Sequence, residues 1–319
     1  MTFRDVRTPS AIAINLALAA CSGSRDTFLI PGGPVAAAQR AEFFHIIGWT
    51  MIAILPVFVL VPLLLWRYRY RNEKARYTPD WERSSILESL MWGVPLIIVA
   101  VLSVQLYRTT HELDPTKTLA SDNPPLRVQV VGLDWKWLFI YPDLGIATVN
   151  QLAFPENTSV ALDLTTDTVM QSLLISSLAG QIYAMPGMRT RLHILAEAPG
   201  VFEGENTQFN GTGFPAQKFQ AIAMTQEAFD AWIRNVKADG APLTAEGYAR
   251  LAQASTGAEA RAEMGGAGGP VDAIHFSSVE GDLFGAILRR YTSGGAVPPA
   301  GQPGAVGYDP NARAGEQTQ

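Results

Sequence analysis

Few residues in this chain could do chemistry, and they are widely scattered. Cysteine occurs once, at Cys21, and histidine four times, at His45, His111, His193 and His275. With a lone thiol, no disulfide can form within the chain. Met185 and Met188 look like a soft-metal pair, but no His or Cys accompanies them in a recognisable motif, so both are expected in the core. His193 lies in the apolar run TRLHILA and is expected to be a hydrogen-bonded structural residue; His45 is assigned no role. The conspicuous acid is Glu88, inside the stretch ILESLMWGVPLIIVAVLSVQLY. A carboxylate in such surroundings is costly unless it faces protein or water. Two readings stand open for it. It is either a first-turn acid that favours the helix dipole and snorkels to the interface, or a residue on a proton pathway.

The elements that must position these residues begin in a membrane. Of the 319 residues, 48% are hydrophobic and 17% charged, a low charged share for a soluble protein. The net charge of -5 is mild and argues against a nucleic-acid binder, which carries a basic stripe. Arg4 and Arg7 followed by the apolar run from Ala11 to Ala20 read as a signal peptide, residues 1–20. Leu18-Ala19-Ala20-Cys21 resembles a bacterial lipobox, which makes Cys21 the expected lipidation site; an ordinary signal peptide with an incidental cysteine is the alternative. Residues 21–42 form an N-terminal periplasmic segment. Phe43 to Trp66, 24 residues, and residues 86–107 are each long enough to cross a hydrocarbon core of about 30 Å. The loop between them, residues 67–85, carries Arg67, Arg69, Arg71, Lys74 and Arg76 near one acid, Glu73, and is therefore cytoplasmic. Both termini are then periplasmic, in a bacterial inner membrane, which agrees with an N-terminus lipidated on the outer face.

Beyond a linker at 108–124, marked by Pro115, Pro124 and Pro125, come short β-type runs: LRVQVVG, WKWLFIY, SVALDLTT and TRLHILA. Strands this short, punctuated by Pro and Gly, read as a sandwich or barrel. The β-region runs to Met224, and the domain is taken as residues 125–237, closing on the amphipathic helix QEAFDAWIRNVK. Residues 238–291 form a helical C-terminal extension containing TAEGYARLAQAS and GDLFGAILRRY. Residues 292–319, rich in Gly, Pro and Ala, read as a disordered tail.

Longer stretches resemble a known family. DWKWLFIYPDLGIATVNQLAFPENT (Asp134 to Thr158), VMQSLLISSLAGQIYAMPGMRTRLHILA (Val169 to Ala196) and GTGFPAQKFQAIA (Gly211 to Ala223) are similar to subunit II of the heme-copper respiratory oxidases, and within them to the cytochrome bo-type ubiquinol oxidases. The resemblance implies a membrane-anchored α+β fold, with a two-helix transmembrane hairpin, a cupredoxin-like β-barrel and a short helical C-terminal extension. It also implies partners: a large polytopic subunit I holding heme and copper, further small membrane subunits, membrane lipid, and ubiquinol as substrate of the complex.

One branch of that family, the cytochrome c oxidases, builds a dinuclear copper centre here from soft thiolate, imidazole and thioether ligands. Laying its ligand spacing on this chain puts Gln171 at the early histidine position, Asn206 and Asn210 at the two cysteines, and Gln208 at the intervening Glu. Phe214 falls at the second histidine and Gln217 at the methionine. The resemblance thus implies no metal and no cofactor held by this chain, and a structural subunit of a quinol oxidase. It also implies that Glu88, in the context LESLMW, lies at a proton-uptake channel into the large subunit. Trp135 and Trp137 lie in a neighbourhood where the copper branch uses aromatics for electron entry, and here they are expected to pack. Two competing functions remain: a cytochrome c oxidase subunit with copper, and a free-standing lipoprotein with a cupredoxin-like binding domain.

Overall fold

A computed structural model describes residues 27–70, 72, 75, 79–121, 123–265 and 273–292. Cys21, the signal segment, the tail from 293, and Arg71, Glu73, Lys74 and Arg76 of the inter-helix loop lie outside the described residues.

Two helices are long and apolar enough to cross a membrane: α1 (Pro34–Arg67) and α2 (Ser85–Glu112). At 1.5 Å per residue they are about 51 and 42 Å long, so both reach well beyond a 30 Å hydrocarbon core. The extra length of α1 is at its start. Pro34 occupies the first turn, where its missing N–H costs nothing, and Ala36, Ala37 and Ala38 propagate the helix nine residues ahead of Phe43. That first stretch packs on the β-domain: Ala36 is fully buried and Val35 touches the main core. Pro56, Pro62 and Pro95 lie inside the two helices. Between the helices Gln105 Nε2 donates to the Glu42 carboxylate and stands 3.4 Å from His45 Nδ1.

The β-domain comprises two sheets. Seven strands order as β11-β12-β3-β2-β1-β5-β8 and five as β4-β10-β9-β6-β7. In chain order these are β1 (Leu126–Leu133), β2 (Lys136–Tyr141), β3 (Ile146–Val149), β4 (Gln151–Pro155), β5 (Val160–Thr166) and β6 (Gln171–Leu174). There follow β7 (Ile182–Ala184), β8 (Thr190–Ile194), β9 (Gly200–Asn206), β10 (Lys218–Met224), β11 (Ala241–Leu243) and β12 (Ile274–Val279). Pairing is mostly antiparallel, with β1–β5, β4–β10 and β11–β12 parallel.

The central strands are buried on both faces, which explains their almost unbroken apolar runs. From β1 and β2, Val128, Val130, Trp137, Phe139 and Tyr141 point into the core between the sheets. The alternate residues Val131, Leu133, Leu138 and Ile140 form a second core on the outer face. That face is covered by α4 (Ala245–Leu251), α5 (Gly257–Met264) and α6 (Leu283–Tyr291) through Tyr248, Leu251, Ala260, Phe284 and Ile287. The helix α3 (Gln226–Asp239) closes one side, with Val236, Trp232 and Ile233 on the main core. Hydroxyl or carboxylate caps start these helices: Thr225, Thr244, Thr256 and Asp282 each accept a backbone N–H, and Thr256 with Glu259 forms a capping box.

The membrane-anchored two-helix hairpin, the β-domain and the helical extension expected from sequence are therefore all present. The extension is more than helical, because it returns β11 and β12 to the edge of the seven-stranded sheet. Two side-chain expectations need correction. Met188 is 51% exposed and Met185 only half-buried, so neither is a core residue; they flank the β7–β8 turn, where Gly187 has φ +70°. His193 lies on β8 and its backbone N–H donates to Pro115 O, but its buried Nδ1 has no hydrogen-bond partner.

Candidate amide cluster and proton-uptake residue

Strand β6 begins at Gln171, β9 ends at Asn206, and β10 begins just after Gln217. The pairing of β6 with β9 sets Leu173 opposite Asn206, and Asn206 N–H donates to Gln217 O. The loop 207–217 therefore returns over the end of β6. This brings four side-chain amides into one connected group. Gln217 is its centre and is fully buried. Its Oε1 accepts from Asn206 Nδ2 at 2.9 Å and Asn210 Nδ2 at 2.8 Å. Its Nε2 donates to Gln171 Oε1 at 2.6 Å and Leu133 O at 3.2 Å. Gln217 thus uses both donors and both acceptor sites. Gln171, also fully buried, donates to Leu133 O and Thr168 Oγ1. Asn206 Oδ1 accepts the backbone N–H groups of Ser172 and Gln208, and its Nδ2 also donates to Gln208 O.

The six positions selected by spacing thus divide. Gln171, Asn206, Asn210 and Gln217 meet through their side chains. Gln208 contributes its backbone, and Phe214 turns to Phe209, ring centroids 5.7 Å apart. A Cβ at Gly132 would lie 2.5 Å from Gln171 Oε1, and one at Gly213 would lie 2.1 Å from the Trp135 ring. Both glycines therefore make room for the group. Trp135 sits over Gly213 with φ +65°, and its Nε1 donates to Asn210 O at 3.3 Å. Trp137 is wholly in the main core, 6.1 Å from Phe219.

The donor set does not fit a copper–thiolate centre. It offers neutral amides already committed to one another, without thiolate, imidazole or thioether, and copper of that kind selects soft ligands. Among the described residues no group of three His, Cys, Asp or Glu is placed to hold a metal ion.

A neighbouring buried group escaped sequence reasoning. Asp167 and Arg290 both have fully buried side chains, and Arg290 Nη1 donates to the carboxylate at 2.5 and 2.6 Å. Tyr248 Oη donates to Asp167 Oδ2 at 2.6 Å, and Tyr291 Oη to Asp167 O at 2.7 Å. Burial and the Asp167 charge push the Tyr291 phenol well above its ordinary range. Asp167 thus ties α4 and α6 to the loop that delivers Gln171. Nearby, Lys136 is fully buried, its Nζ donating to Asp134 O, Gln253 O, Ser255 O and Ser255 Oγ. Burial pushes its pKa down to about 8. An Arg at the end of an amphipathic helix and a Lys between two tryptophans are ordinary surface patterns in sequence, so neither signalled burial.

Glu88 is remote from this group, in the first turn of α2 at the other end of the hairpin. Ser84 caps that turn, accepting from Leu87 N–H at 3.5 Å. The Glu88 carboxylate is half exposed, and Arg83 Nε lies 3.6 Å from it.

No family model matches the chain. Curated relatives do. Cytochrome bo(3) ubiquinol oxidase subunit 2 of Pseudomonas aeruginosa is 40% identical over 279 residues, 87% of this chain and 80% of that protein. Ubiquinol oxidase subunit 2 of Acetobacter aceti is 40% identical over 275 residues, 86% of this chain and 85% of that protein. Among solved structures, the periplasmic domain of subunit II of cytochrome oxidase from Bradyrhizobium japonicum aligns at 18% identity over 37% of this chain and 96% of that one, with a TM-score of 0.35. With two relatives at 40% identity spanning most of both partners, two membrane-length helices and a two-sheet domain beyond them, the chain belongs to the ubiquinol oxidase subunit 2 family.

Proposed function

We propose that this chain is the copper-free, non-redox subunit of a respiratory complex that oxidises two ubiquinols, reduces O2 to two H2O and couples the reaction to proton translocation. The hemes and copper of that complex reside in a large polytopic subunit I, alongside further small membrane subunits. The observation that supports this most is the hydrogen-bonded amide group of Gln171, Asn206, Asn210 and Gln217 at the positions where the copper branch carries ligands. These neutral amides hold the sheet ends together and offer no thiolate or imidazole to a redox metal. Electrons then reach the hemes from quinol within the membrane, without passing through the β-domain.

Two residues have further roles in this reading. Glu88, half exposed on the cytoplasmic side of α2 and next to Arg83, takes up protons for the large subunit. Cys21 carries a lipid that supplements the helices at the outer face of the bacterial inner membrane.

The test is oxygen uptake by the complex purified through a tag on this chain, with reduced ubiquinone and then reduced cytochrome c as donor. Uptake with quinol alone is expected. Uptake with cytochrome c would overturn the non-redox role, and a preparation without heme or uptake would favour a free-standing lipoprotein.

A further inference from the structure

A cavity of about 400 Å³ lies where the hairpin meets the β-domain. It is bounded by the first turns of α1, the end of α2, the linker 113–120, residues 180–181 and β8. Its position is fixed by length. Ser85 to Glu112 covers about 42 Å, so Glu112 stands outside the 30 Å hydrocarbon layer and within the layer of lipid head groups. The backbone bond from His193 to Pro115 O holds the linker along β8 and shapes one wall.

The lining is amphipathic. Val35, Leu119 and Leu192 supply apolar surface; Gln39, Glu112, Asp114, Lys117, Gln181 and His193 supply polar groups. Several of these have capacity to spare. His193 is only 6% exposed, yet its Nδ1 has no hydrogen-bond partner. Burial keeps its pKa below the ordinary imidazole range, so it stands neutral at pH 7 and ready to accept or donate one bond. Glu112 makes no hydrogen bond or ion pair among the described residues, whereas the Asp114 carboxylate is taken by the Thr116 N–H and hydroxyl. Lys117 donates to His111 O and has two N–H groups left.

We propose that this cavity binds the head group of a zwitterionic aminophospholipid, with the lipid ammonium on Glu112 and the phosphate on Lys117 and the Gln39 and Gln181 amides. The charges decide the class. Two carboxylates against one lysine repel an anionic head group, while an ammonium with three N–H groups can bond Glu112 directly. A quinol ring is disfavoured because no Phe, Tyr or Trp among the described residues lines the walls to stack on it. The acyl chains run down beside α1 and α2, whose side chains there are apolar and exposed. The bound lipid would fill the seam between the hairpin and the domain.

The test is native mass spectrometry of the whole complex, reconstituted in nanodiscs of equal phosphatidylethanolamine and phosphatidylglycerol and then extracted. Wild type is expected to retain one more phosphatidylethanolamine than Ala120→Trp, which fills the cavity from an exposed position, and Glu112→Gln is expected to lower that occupancy at least tenfold. Equal retention by wild type and Ala120→Trp would overturn the site. Phosphatidylglycerol or co-purified quinol held equally well in its place would overturn the ligand class. Oxygen uptake with quinol, measured on the same preparations, reads the proposed function separately and is expected to persist in both variants.

Discussion

Gln217 is the residue whose loss should reveal most about the β-domain. Replacing it by Leu keeps the approximate volume and removes four hydrogen bonds of 2.6–3.2 Å from a fully buried position. The bonds are not equal in consequence. Asn206 Nδ2 keeps Gln208 O, and Leu133 O keeps Gln171 Nε2. Asn210 Nδ2 and Gln171 Oε1 are left without a partner, at about 1–3 kcal/mol each. Apolar burial of the new side chain offsets about 1–2 kcal/mol, so the net loss is about 1–4 kcal/mol. At roughly 2–4 °C per kcal/mol for a domain of this size, the melting temperature should fall by about 2–16 °C. Scanning fluorimetry of the purified complex measures it, with Gln253→Leu, an exposed amide, as control. A shift no larger than the control's would mean that the amide group does not hold the sheet ends together.

Three other outcomes follow from the same geometry. Glu88→Gln keeps shape without a titratable proton and should lower oxygen turnover and proton pumping severalfold while the complex assembles normally; unchanged pumping would remove the proton-uptake role. Arg290→Met removes the cation from the buried Asp167 carboxylate, which keeps its tyrosine hydroxyls, and should cost about 3–5 kcal/mol, with Asp167→Asn on top recovering part of it; a melting temperature equal to wild type would show that the pair does not hold the extension in place. His275 is held below its ordinary value of 6.5, first by burial and then by Arg261, with Nε2 2.6 Å from Gln151 Oε1. In that case the unfolded chain binds more protons than the native one as the pH drops below about 6.5, so stability should decline from there downward. A pH 7.5 to 5.5 melting series in which His275→Gln declines as steeply as wild type would exclude His275 as the cause.

Where the sequence carries a strong period or a long apolar run, the fold could be read from it. Both membrane helices and the strands around WKWLFIY and SVALDLTT announced themselves because each is apolar enough to stand out locally. The strands β6, β7 and β9 did not, because Gln171 and Glu203 interrupt any apolar run, β7 is only three residues long, and β6 and β9 are held by pairing with each other across the intervening chain. The start of α1 was missed for another reason. Hydropathy finds lipid-facing residues, while Pro34 and the alanines after it are a helix start that packs on protein. At the site, spacing alone brought Gln171, Asn206, Asn210 and Gln217 into view, but it could not assign their hydrogen bonds. Which amide donates to which depends on the loop 207–217 and on the absence of a Cβ at Gly132. The Asp167–Arg290 pair was invisible because its partners are 123 residues apart.

The outer core of the seven-stranded sheet also governs how the chain is made. Synthesis delivers β1, β2 and β3 long before residues 241–291, which supply β11, β12, α4, α5 and α6. Until those residues arrive, Val131, Leu133, Leu138 and Ile140 remain a bare apolar face with an unpaired β3 edge beside it. Such a face and edge invite association with other chains. Folding of this domain therefore requires either rapid completion or an escort that shields the nascent sheet. A frameshift or stop codon between residues 241 and 291 would abolish accumulation of the whole subunit, rather than release a shortened but folded one.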